Sequence, residues 1–227
     1  MCGRFALLAT PEEIVQQFDL NAVSSLAPRF NIAPSQPVAA VRLNRDTKQR
    51  EFVHFHWGLI PSWAKDPAIG YKMINARSET VTEKPSFRQA FKYRRCLIPV
   101  SGFYEWQKVG KTKQPYFIHS SEGQLFAVAG LWEHWHSADG SEIESCTLLT
   151  TAANDLMRPL HDRMPVIIHP EDYALWLDPQ ETKPDQLLPL LRPFPTEQMA
   201  AYPVSTIVNS PFNEIPACIE PAYNNPG

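Results

Sequence analysis

The chain has 227 residues, of which 44% are hydrophobic and 20% charged, which is typical of one globular domain (residues 1–227) with a full core. Its formal net charge of −3 argues against a protein that coats DNA through bulk charge but is compatible with a local basic groove. No stretch is apolar enough to span a membrane, and the N-terminus lacks the basic and apolar segments of a secretory signal. We therefore expect a cytoplasmic protein, and we expect it to act as a monomer.

The first half of the chain combines one short helix with extended segments. Thr10-Pro11-Glu12-Glu13 has the residues of a capping box, with proline at the first helical position, and predicts a helix start. Residues 31–34 are predicted to be an extended loop, because a proline biases the residue before it away from helix. Alternating apolar residues predict strands over 37–43 and 51–57. Residues 61–67 form a proline-bounded loop that carries Trp63, a candidate stacking platform.

The second half of the chain is predicted to be mostly short strands separated by short helices. Most of these strands follow one another through short connections, which favours antiparallel pairing. The sequence therefore predicts a single α+β domain with a mostly antiparallel, curled or barrel-like sheet and flanking short helices. The predicted strands cover 96–100, 103–106, 115–119, 125–131, 146–151, 164–168 and 200–208, and the predicted helices cover 86–92, 154–160, 170–177 and 184–191.

The first two residues, Met1 and Cys2, offer unusual chemistry. If Met1 is removed, Cys2 carries an α-amine and a thiol on adjacent carbons, with pKa values near ~8 and ~8.5. An aldehyde can condense with the amine to an imine, and the thiol can then close a thiazolidine ring. No internal cysteine has this capability.

Polar side chains interrupt an extended segment at Asn75, Arg77 and Glu79. Strand alternation would place all three on one side. One interpretation is a buried Arg77–Glu79 pair with Asn75 holding a turn, and spacing alone favours it. The alternative is a functional site in which Asn75 donates hydrogen bonds and Arg77 binds an anion.

Glu105 and His161 are candidates for proton transfer. Glu105 lies in an aromatic strand, where the commoner arrangement is an outward-facing carboxylate. If it is instead held among the aromatic rings, burial raises its pKa toward neutrality and suits a general acid or base. His161 stands beside Asp162 and Arg163 in a predicted rigid turn, and the sequence leaves a solvated histidine and a proton-transfer residue equally open.

The sequence predicts neither a bound metal nor another cofactor. The cysteines are widely scattered and form no C-x-x-C pair, which argues against a zinc site or a disulfide scaffold. His54 with His56, and His134 with His136, would each share a strand face. Neither pair has a third ligand at a plausible spacing in the sequence, so structural roles are favoured.

Taken together, these stretches resemble the SOS-response-associated peptidase family, also described as abasic-site processing proteins. Each motif alone is weak, but their order along nearly the whole chain is specific. Some relatives carry a second aromatic residue after the equivalent of Trp63, where this chain has Ala64. The motifs are Met1-Cys2-Gly3-Arg4-Phe5, Asn31-Ile32-Ala33-Pro34, Trp57-Gly58-Leu59-Ile60-Pro61-Ser62-Trp63, Asn75-Ala76-Arg77-Ser78-Glu79, Gly102-Phe103-Tyr104-Glu105-Trp106, His161-Asp162-Arg163-Met164-Pro165, Val204-Ser205 and Asn209.

The resemblance implies that Cys2, freed of Met1, cross-links to abasic sites in single-stranded DNA through a stable thiazolidine, and that the protein joins the nucleoid when bound. It implies that Asn75 steadies the opened sugar, that Glu105 acts as acid and base beside the N-terminal amine, and that His161 assists proton transfer at the sugar. The DNA contacts that the resemblance implies are Arg4, Arg77, Thr151 and Arg163 at phosphates and Pro34 and Trp63 as stacking surfaces.

Two other activities are compatible with Cys2. Met-Cys-Gly also opens glutamine amidotransferases, in which the N-terminal cysteine attacks an amide with its own α-amine as base. That alternative is disfavoured, because Arg4 and Phe5 replace the usual continuation and the other motifs of those enzymes are missing from the sequence. The second is peptidase activity, as the family name suggests, for which the chemistry plainly needs only the removal of Met1, by the protein itself or by a methionine aminopeptidase.

Overall fold

The computed structural model describes residues 2–23, 25–137 and 139–222. Its strands are Phe5–Leu7 (β1), Arg29–Ile32 (β2), Pro37–Leu43 (β3), Arg50–Trp57 (β4), Asn75–Arg77 (β5), Arg95–Val100 (β6), Gly102–Val109 (β7), Thr112–Ser120 (β8), Phe126–His136 (β9), Glu142–Ala152 (β10), Arg163–Pro165 (β11) and Met199–Pro203 (β12). The α-helices are Pro11–Phe18 (α1), Arg88–Tyr93 (α2), Tyr173–Leu177 (α3) and Pro184–Leu187 (α4). Short 3₁₀ helices lie at Pro67–Lys72, Ser78–Thr80, Pro170–Asp172, Leu188–Leu190, Thr196–Gln198, Thr206–Asn209 and Pro216–Cys218.

Five strands close into a barrel in the order β10-β4-β3-β6-β9, because β9 pairs back onto β10. The closing pair is antiparallel and runs from Glu142 opposite His136 to Leu148 opposite Gly130. β4 joins β10 in parallel, and β5 and β11 extend the sheet along the far half of β10. The predicted α+β domain with a barrel-like, mostly antiparallel sheet is confirmed.

A second sheet has the order β12-β8-β7-β1-β2 and is joined to the barrel at Ser101, the single residue between β6 and β7. The Ser101 N–H donates to the carbonyl of Ala6 at 2.8 Å, and its hydroxyl accepts from the Leu8 N–H at 2.8 Å. β1 is therefore fixed against the junction of the two sheets. Phe5 packs on Trp57 of the barrel with ring centroids 5.2 Å apart, which holds the start of the chain against the barrel.

A buried guanidinium ties helices to the barrel. Arg95 is 3% exposed, and it donates to the carbonyls of Trp176, Phe91 and Lys92, each at 2.6 Å. Burial lowers the pKa of Arg95 to about 10, while its carbonyl cage supplies the hydrogen bonds that a buried cation needs. The ends of α2 and α3 are thus held by one side chain of β6.

Several predicted elements are confirmed. Thr10 caps α1, since its hydroxyl accepts from the Glu13 N–H at 3.2 Å while the Glu13 carboxylate accepts from the Thr10 N–H at 2.8 Å. The strands over 37–43 and 51–57 are β3 and β4. Within the described ranges, no helix is both long and apolar enough to cross a membrane.

Other predicted elements were wrong. Residues 31–34 were predicted to be an extended loop, and Ala33 and Pro34 do lie outside any strand. Asn31 and Ile32 instead belong to the strand Arg29–Ile32, because β1 supplies a pairing partner distant in sequence. Residues 154–160 form hydrogen-bonded turns instead of a helix, since Pro159 removes a donor and restricts the residue before it. The strand expected over 164–168 is only Arg163–Pro165. The strand expected over 200–208 is Met199–Pro203. It is followed by the 3₁₀ helix Thr206–Asn209, which Ser205 caps by accepting a hydrogen bond from the Ile207 N–H at 3.3 Å.

Candidate functional site

Cys2 lies in a buried niche where the chain enters β1. The neighbouring Arg4 carbonyl accepts from the Tyr104 N–H of β7 at 2.9 Å, so this segment runs beside β7. Cys2 is 1% exposed. Burial raises the pKa of its thiol to about 12, with a further increase from the negative charge of Glu105. The thiol is therefore neutral at physiological pH in this state.

Asn75 fixes the main chain of Cys2. It begins β5, which pairs with β10 at Leu148. Its Nδ2 donates to the Cys2 carbonyl at 2.8 Å. Its Oδ1 is buried and accepts no hydrogen bond from any described residue. The amide thus positions Cys2 and keeps a second polar atom available at the same place.

Glu105 is inside the protein, in contrast to the commoner outward arrangement for such a strand. It lies on β7 opposite Tyr116 and is 4% exposed. Burial raises the pKa of its carboxyl, while His161 acts in the opposite direction. Since Glu105 also raises the pKa of the Cys2 thiol, the carboxyl lies within electrostatic reach of both residues. A carboxyl that keeps its proton to higher pH suits acid–base work.

His161 is held in the turn that precedes β11. Its N–H donates to the Met157 carbonyl at 2.8 Å. Its Nδ1 lies 3.0 Å from the Arg163 nitrogen and 2.8 Å from the Asp162 carboxylate. A neutral ring accepts from Arg163 at Nδ1, whereas a protonated ring donates to Asp162 there. These two contacts hold the imidazole ring in the turn.

The four residues predicted as catalytic therefore share one region. Strands from both sheets and the turn before β11 contribute to it.

Comparison of the sequence with known families gives a match over residues 1–211 to the model described as SOS response associated peptidase (SRAP).

The chain belongs to the SRAP family. It is 46% identical over 224 residues to the abasic site processing protein YoqW of Bacillus subtilis, covering 97% of this chain and 99% of YoqW. It is 36% identical over 262 residues to the abasic site processing protein HMCES of Xenopus tropicalis, covering 96% of this chain and 78% of HMCES. A crystal structure of a Bacteroides thetaiotaomicron protein has the same fold, with a TM-score of 0.88 and 28% identity over 97% of this chain and 100% of that one.

Two arginines predicted to contact phosphates are engaged inside this SRAP domain. Arg4 is half-buried and donates from Nη1 to Asn31 Oδ1 at 2.7 Å and to the Val208 carbonyl at 2.8 Å. Arg163 donates two hydrogen bonds to the carboxylate of Glu79, from Nη1 at 2.5 Å and from Nη2 at 2.9 Å. These bonds with Arg163 lower the pKa of Glu79. Glu79 therefore pairs with Arg163, and the Arg77–Glu79 pair favoured by spacing does not form.

The other predicted DNA contacts differ in exposure. Arg77 is exposed at the end of β5, whereas Thr151 on β10 is 5% exposed. Pro34 is half-buried. Trp63 is 58% exposed, consistent with a stacking platform. Among the described residues, no hydrogen bond or ring contact joins Trp63 to Cys2.

The loop of Trp63 is anchored at two places. At its base, the backbones of Gly58 and Gly70 touch, since a Cβ on Gly58 would lie 2.8 Å from the Gly70 carbonyl oxygen, and Gly58 has φ +137°. Above this point, Trp135 of β9 donates from Nε1 to the Ala64 carbonyl at 2.7 Å. The loop can therefore present Trp63 without moving as a free segment.

The sequence did not predict the hydrogen bonds by which Asn31 and Trp106, two neighbours of Arg4, hold residues 209–213. Asn31 donates from Nδ2 to the carbonyls of Ser210 at 2.9 Å and Asn213 at 2.8 Å. Trp106, whose ring lies 5.9 Å from the Arg4 guanidinium carbon, donates to Asn209 Oδ1 at 2.7 Å. No local pattern could reveal these contacts, because they join residues about 100 to 180 positions apart.

The sequence also did not predict that a carboxylate, that of Glu142, lies beside His134 and His136. Glu142 begins the next strand, and its carboxylate lies 3.2 Å from His134 and 3.0 Å from His136. Cross-strand pairing creates this cluster, so the spacing along one strand could not predict it.

Proposed function

We propose that this chain processes abasic sites in single-stranded DNA by forming a thiazolidine cross-link through Cys2 after Met1 is removed. The hydrogen bond from Asn75 to the Cys2 carbonyl is the observation that carries the proposal, because it joins the nucleophile to the predicted sugar-binding residue. The printed names of the relatives YoqW and HMCES, both abasic site processing proteins, support it. Family membership also favours this chemistry over the amidohydrolase alternative.

Removal of Met1 is the first step. Hydrolysis of the Met1–Cys2 peptide bond consumes one water, releases methionine and leaves a primary amine on Cys2. This amine is the nucleophile, and its neutral form predominates above its pKa of ~8. A carboxylate at Glu105 can accept the proton that the attacking amine loses.

Imine formation is the second step. The amine attacks C1′ of the ring-opened sugar, and the resulting carbinolamine loses water to give a C=N bond. The departing oxygen needs a proton, which Glu105 in its acid form supplies, because its raised pKa keeps that form to higher pH. We assign to Asn75 the positioning of the sugar hydroxyls and to His161 proton transfer at the sugar oxygen.

Ring closure is the third step. The Cys2 sulfur adds to C1′ of the imine while the thiol proton passes to the nitrogen, so that no further atom is lost. The balance is one aldehyde plus one aminothiol giving one thiazolidine plus one water. Because the C=N bond is consumed, the strand loses the activation that drives β-elimination. This requirement explains cysteine at position 2, since serine or alanine cannot form the stable sulfur ring.

DNA binding in the proposal relies on phosphate contacts and stacking that do not read sequence. An abasic site in an unpaired strand has no base to extrude, so entry avoids the flipping cost. We assign phosphate contacts to Arg4, Arg77, Thr151 and Arg163 and stacking to Pro34 and Trp63. Arg77 and Trp63 are the two whose exposure suits direct contact without rearrangement.

The test is intact mass spectrometry of the purified protein before and after incubation with a single-stranded oligonucleotide bearing one abasic site. We expect the mass to lack Met1 at the start and to increase by the oligonucleotide mass less one water. Cys2→Ser keeps the amine but not the thiol, so it should yield a DNA adduct only after borohydride reduction of the imine. The absence of an adduct with fully processed wild-type protein would falsify the proposal.

Self-removal of Met1 is a second candidate activity, favoured by the Glu105 carboxyl within electrostatic reach of Cys2. The test is cell-free synthesis without methionine aminopeptidase, followed by mass analysis. Self-processing predicts loss of Met1 from the wild-type chain and its retention in Glu105→Gln. If both chains keep Met1, or both lose it, Glu105 does not catalyse its removal.

A further inference from the structure

The hairpin of β9 and β10 carries three potential metal ligands on one face. His134 and His136 are two residues apart on β9, so their side chains point to the same side of the strand. Strand pairing sets Glu142 directly opposite His136, and Glu144 opposite His134. Glu144 is already engaged with Arg42 at 2.7 Å, which leaves Glu142 as the carboxylate nearest to both imidazoles.

The three side chains have the separation that a small tetrahedral ion needs. His134 Nε2 lies 3.2 Å from one Glu142 oxygen, and His136 Nδ1 lies 3.0 Å from the other. The two imidazole centroids are 4.2 Å apart, and the ligand atoms of the group all lie within 4.8 Å of one another. Zinc bonds of about 2.0–2.2 Å in a tetrahedron separate two ligand atoms by roughly 3.3–3.6 Å. Small side-chain rotations therefore suffice to centre an ion among the three.

The hairpin is organised before any ion arrives. The Ser137 N–H donates to the Ser141 carbonyl at 2.8 Å, and the Gly140 N–H donates back to Ser137 at 3.1 Å. On the other face of β9, Trp135 is buried and bonded to Ala64 at 2.7 Å. A binding site on this hairpin therefore requires little ordering of the backbone, which favours affinity.

We propose that His134, His136 and Glu142 bind a divalent transition-metal ion of the zinc class, with the fourth coordination position open to water. Two imidazoles and one carboxylate form a ligand set that suits Zn²⁺, and three protein ligands leave one position for a small molecule. The ion replaces the direct His–Glu contacts and cross-links β9 to β10. Through Trp135, it also stiffens the strand that supports Ala64 and the exposed Trp63 loop.

The cluster is separate from the region proposed for cross-linking. Glu142 begins β10, whereas Asn75 pairs with Leu148 farther along the same strand, and Cys2 contacts Asn75. None of the three proposed ligands belongs to the set assigned to the sugar or the DNA. Metal binding can therefore be tested without reference to DNA chemistry.

The test is calorimetric titration of Zn²⁺ into chelator-treated, dialysed protein carrying Cys2→Ala. This background removes the aminothiol of processed Cys2, which would itself chelate zinc. We expect one ion per chain with a Kd of about 1 µM or lower, and a Tm increase of about 5 °C at hundredfold excess over Kd. Co²⁺ titration should give the visible absorption of a four-coordinate ion.

The variant His136→Ala should weaken Zn²⁺ binding at least about tenfold without changing the Tm of the metal-free protein, because the side chain is exposed. Glu142→Gln changes a second ligand with almost no change in shape. It should also weaken Zn²⁺ binding at least about tenfold and leave the Tm of the metal-free protein unchanged. His54→Ala is the matched control, since His54 and His56 have the same two-residue spacing on β4. The His54→Ala protein should bind Zn²⁺ with unchanged affinity. A Kd weaker than about 100 µM, or unchanged affinity in both His136→Ala and Glu142→Gln, overturns the proposal.

Discussion

Two buried glutamates, Glu105 on β7 and Glu133 on β9, show how similar burial can lead to different chemistry. They are 4% and 5% exposed, and burial raises the carboxyl pKa of each. Glu133 forms a short ion pair with Arg94, which compensates its charge. Glu105 lies within electrostatic reach of the Cys2 thiol and His161.

The difference lies in the neighbours and not in the depth of burial. An arginine stays charged at every physiological pH, so the Arg94–Glu133 pair is a fixed structural element. A thiol and an imidazole exchange protons, so the charge on Glu105 is coupled to groups that can react. Perturbed carboxyls among other titratable groups are typical of active sites, whereas arginine-paired ones are typical of frameworks.

The largest expected contrast is in reaction rate. Glu105→Gln keeps the shape but cannot accept or donate a proton, so the initial rate of cross-linking should fall about 100-fold. Glu133→Gln should leave that rate within about twofold, provided that the fold is intact. Gel-based initial rates with one abasic oligonucleotide measure both variants. Equal cross-linking rates in Glu105→Gln and Glu133→Gln would contradict the assignment of a proton-transfer role to Glu105 alone.

The next contrast is in stability. Arg94→Met leaves the Glu133 carboxylate buried without its cation. The free energy of unfolding should fall by about 2 kcal/mol, which is less than for a fully buried pair because Arg94 is partly exposed. Arg77→Met, an exposed arginine, should change it by less than about 0.5 kcal/mol. Urea unfolding monitored by tryptophan fluorescence distinguishes the two. A stable Arg94→Met protein would show that Glu133 is neutralised in another way.

A smaller effect is expected in the pH dependence of stability at Glu105. Its folded-state pKa is raised, so the unfolded chain releases the proton first as pH rises above about 4.3, and the wild type then loses stability. Glu105→Gln avoids this loss. It should therefore be more stable than wild type at pH 7, by less than the Arg94→Met effect, and the gain should vanish below about pH 4. A constant difference across this range would contradict the assignment.

The smallest expected effect is on the Cys2 thiol. Burial is the larger cause of its raised pKa and the Glu105 charge the smaller, so Glu105→Gln should lower the pKa only modestly below about 12. The rate of Cys2 alkylation against pH, followed on the N-terminal peptide by mass spectrometry, reports this shift. An unchanged profile would mean that the carboxyl is already neutral beside the thiol.

Local patterns predicted those parts of the fold that neighbours in sequence determine. The capping box of α1 and the alternation of β3 and β4 are of this kind. Closure of the barrel by β9 and β10 follows from the packing of the whole chain, so only its general form was expected. The strand Arg29–Ile32 was missed because its partner lies in β1, whose three residues give no periodic signal.

The candidate site was predictable as a set of residues but not as a geometry. The sequence itself singled out Asn75, Glu105 and His161, although spacing favoured structural roles for the first two. The resemblance assigned the three residues to one site. The partner of Glu79 was misjudged, because Arg163 reaches it from 84 positions away. Glu142 was overlooked for the same reason, since only the hairpin brings it to the two histidines.

The burial of Cys2 has a consequence for chemical survival. Peroxides attack thiolates much faster than thiols, and exposed low-pKa cysteines are the ones that become sulfenic acids. A thiol that is 1% exposed and has a pKa of about 12 is almost entirely un-ionised. As long as Cys2 stays in this buried state, peroxides would react with its sulfur far more slowly than with an exposed thiolate.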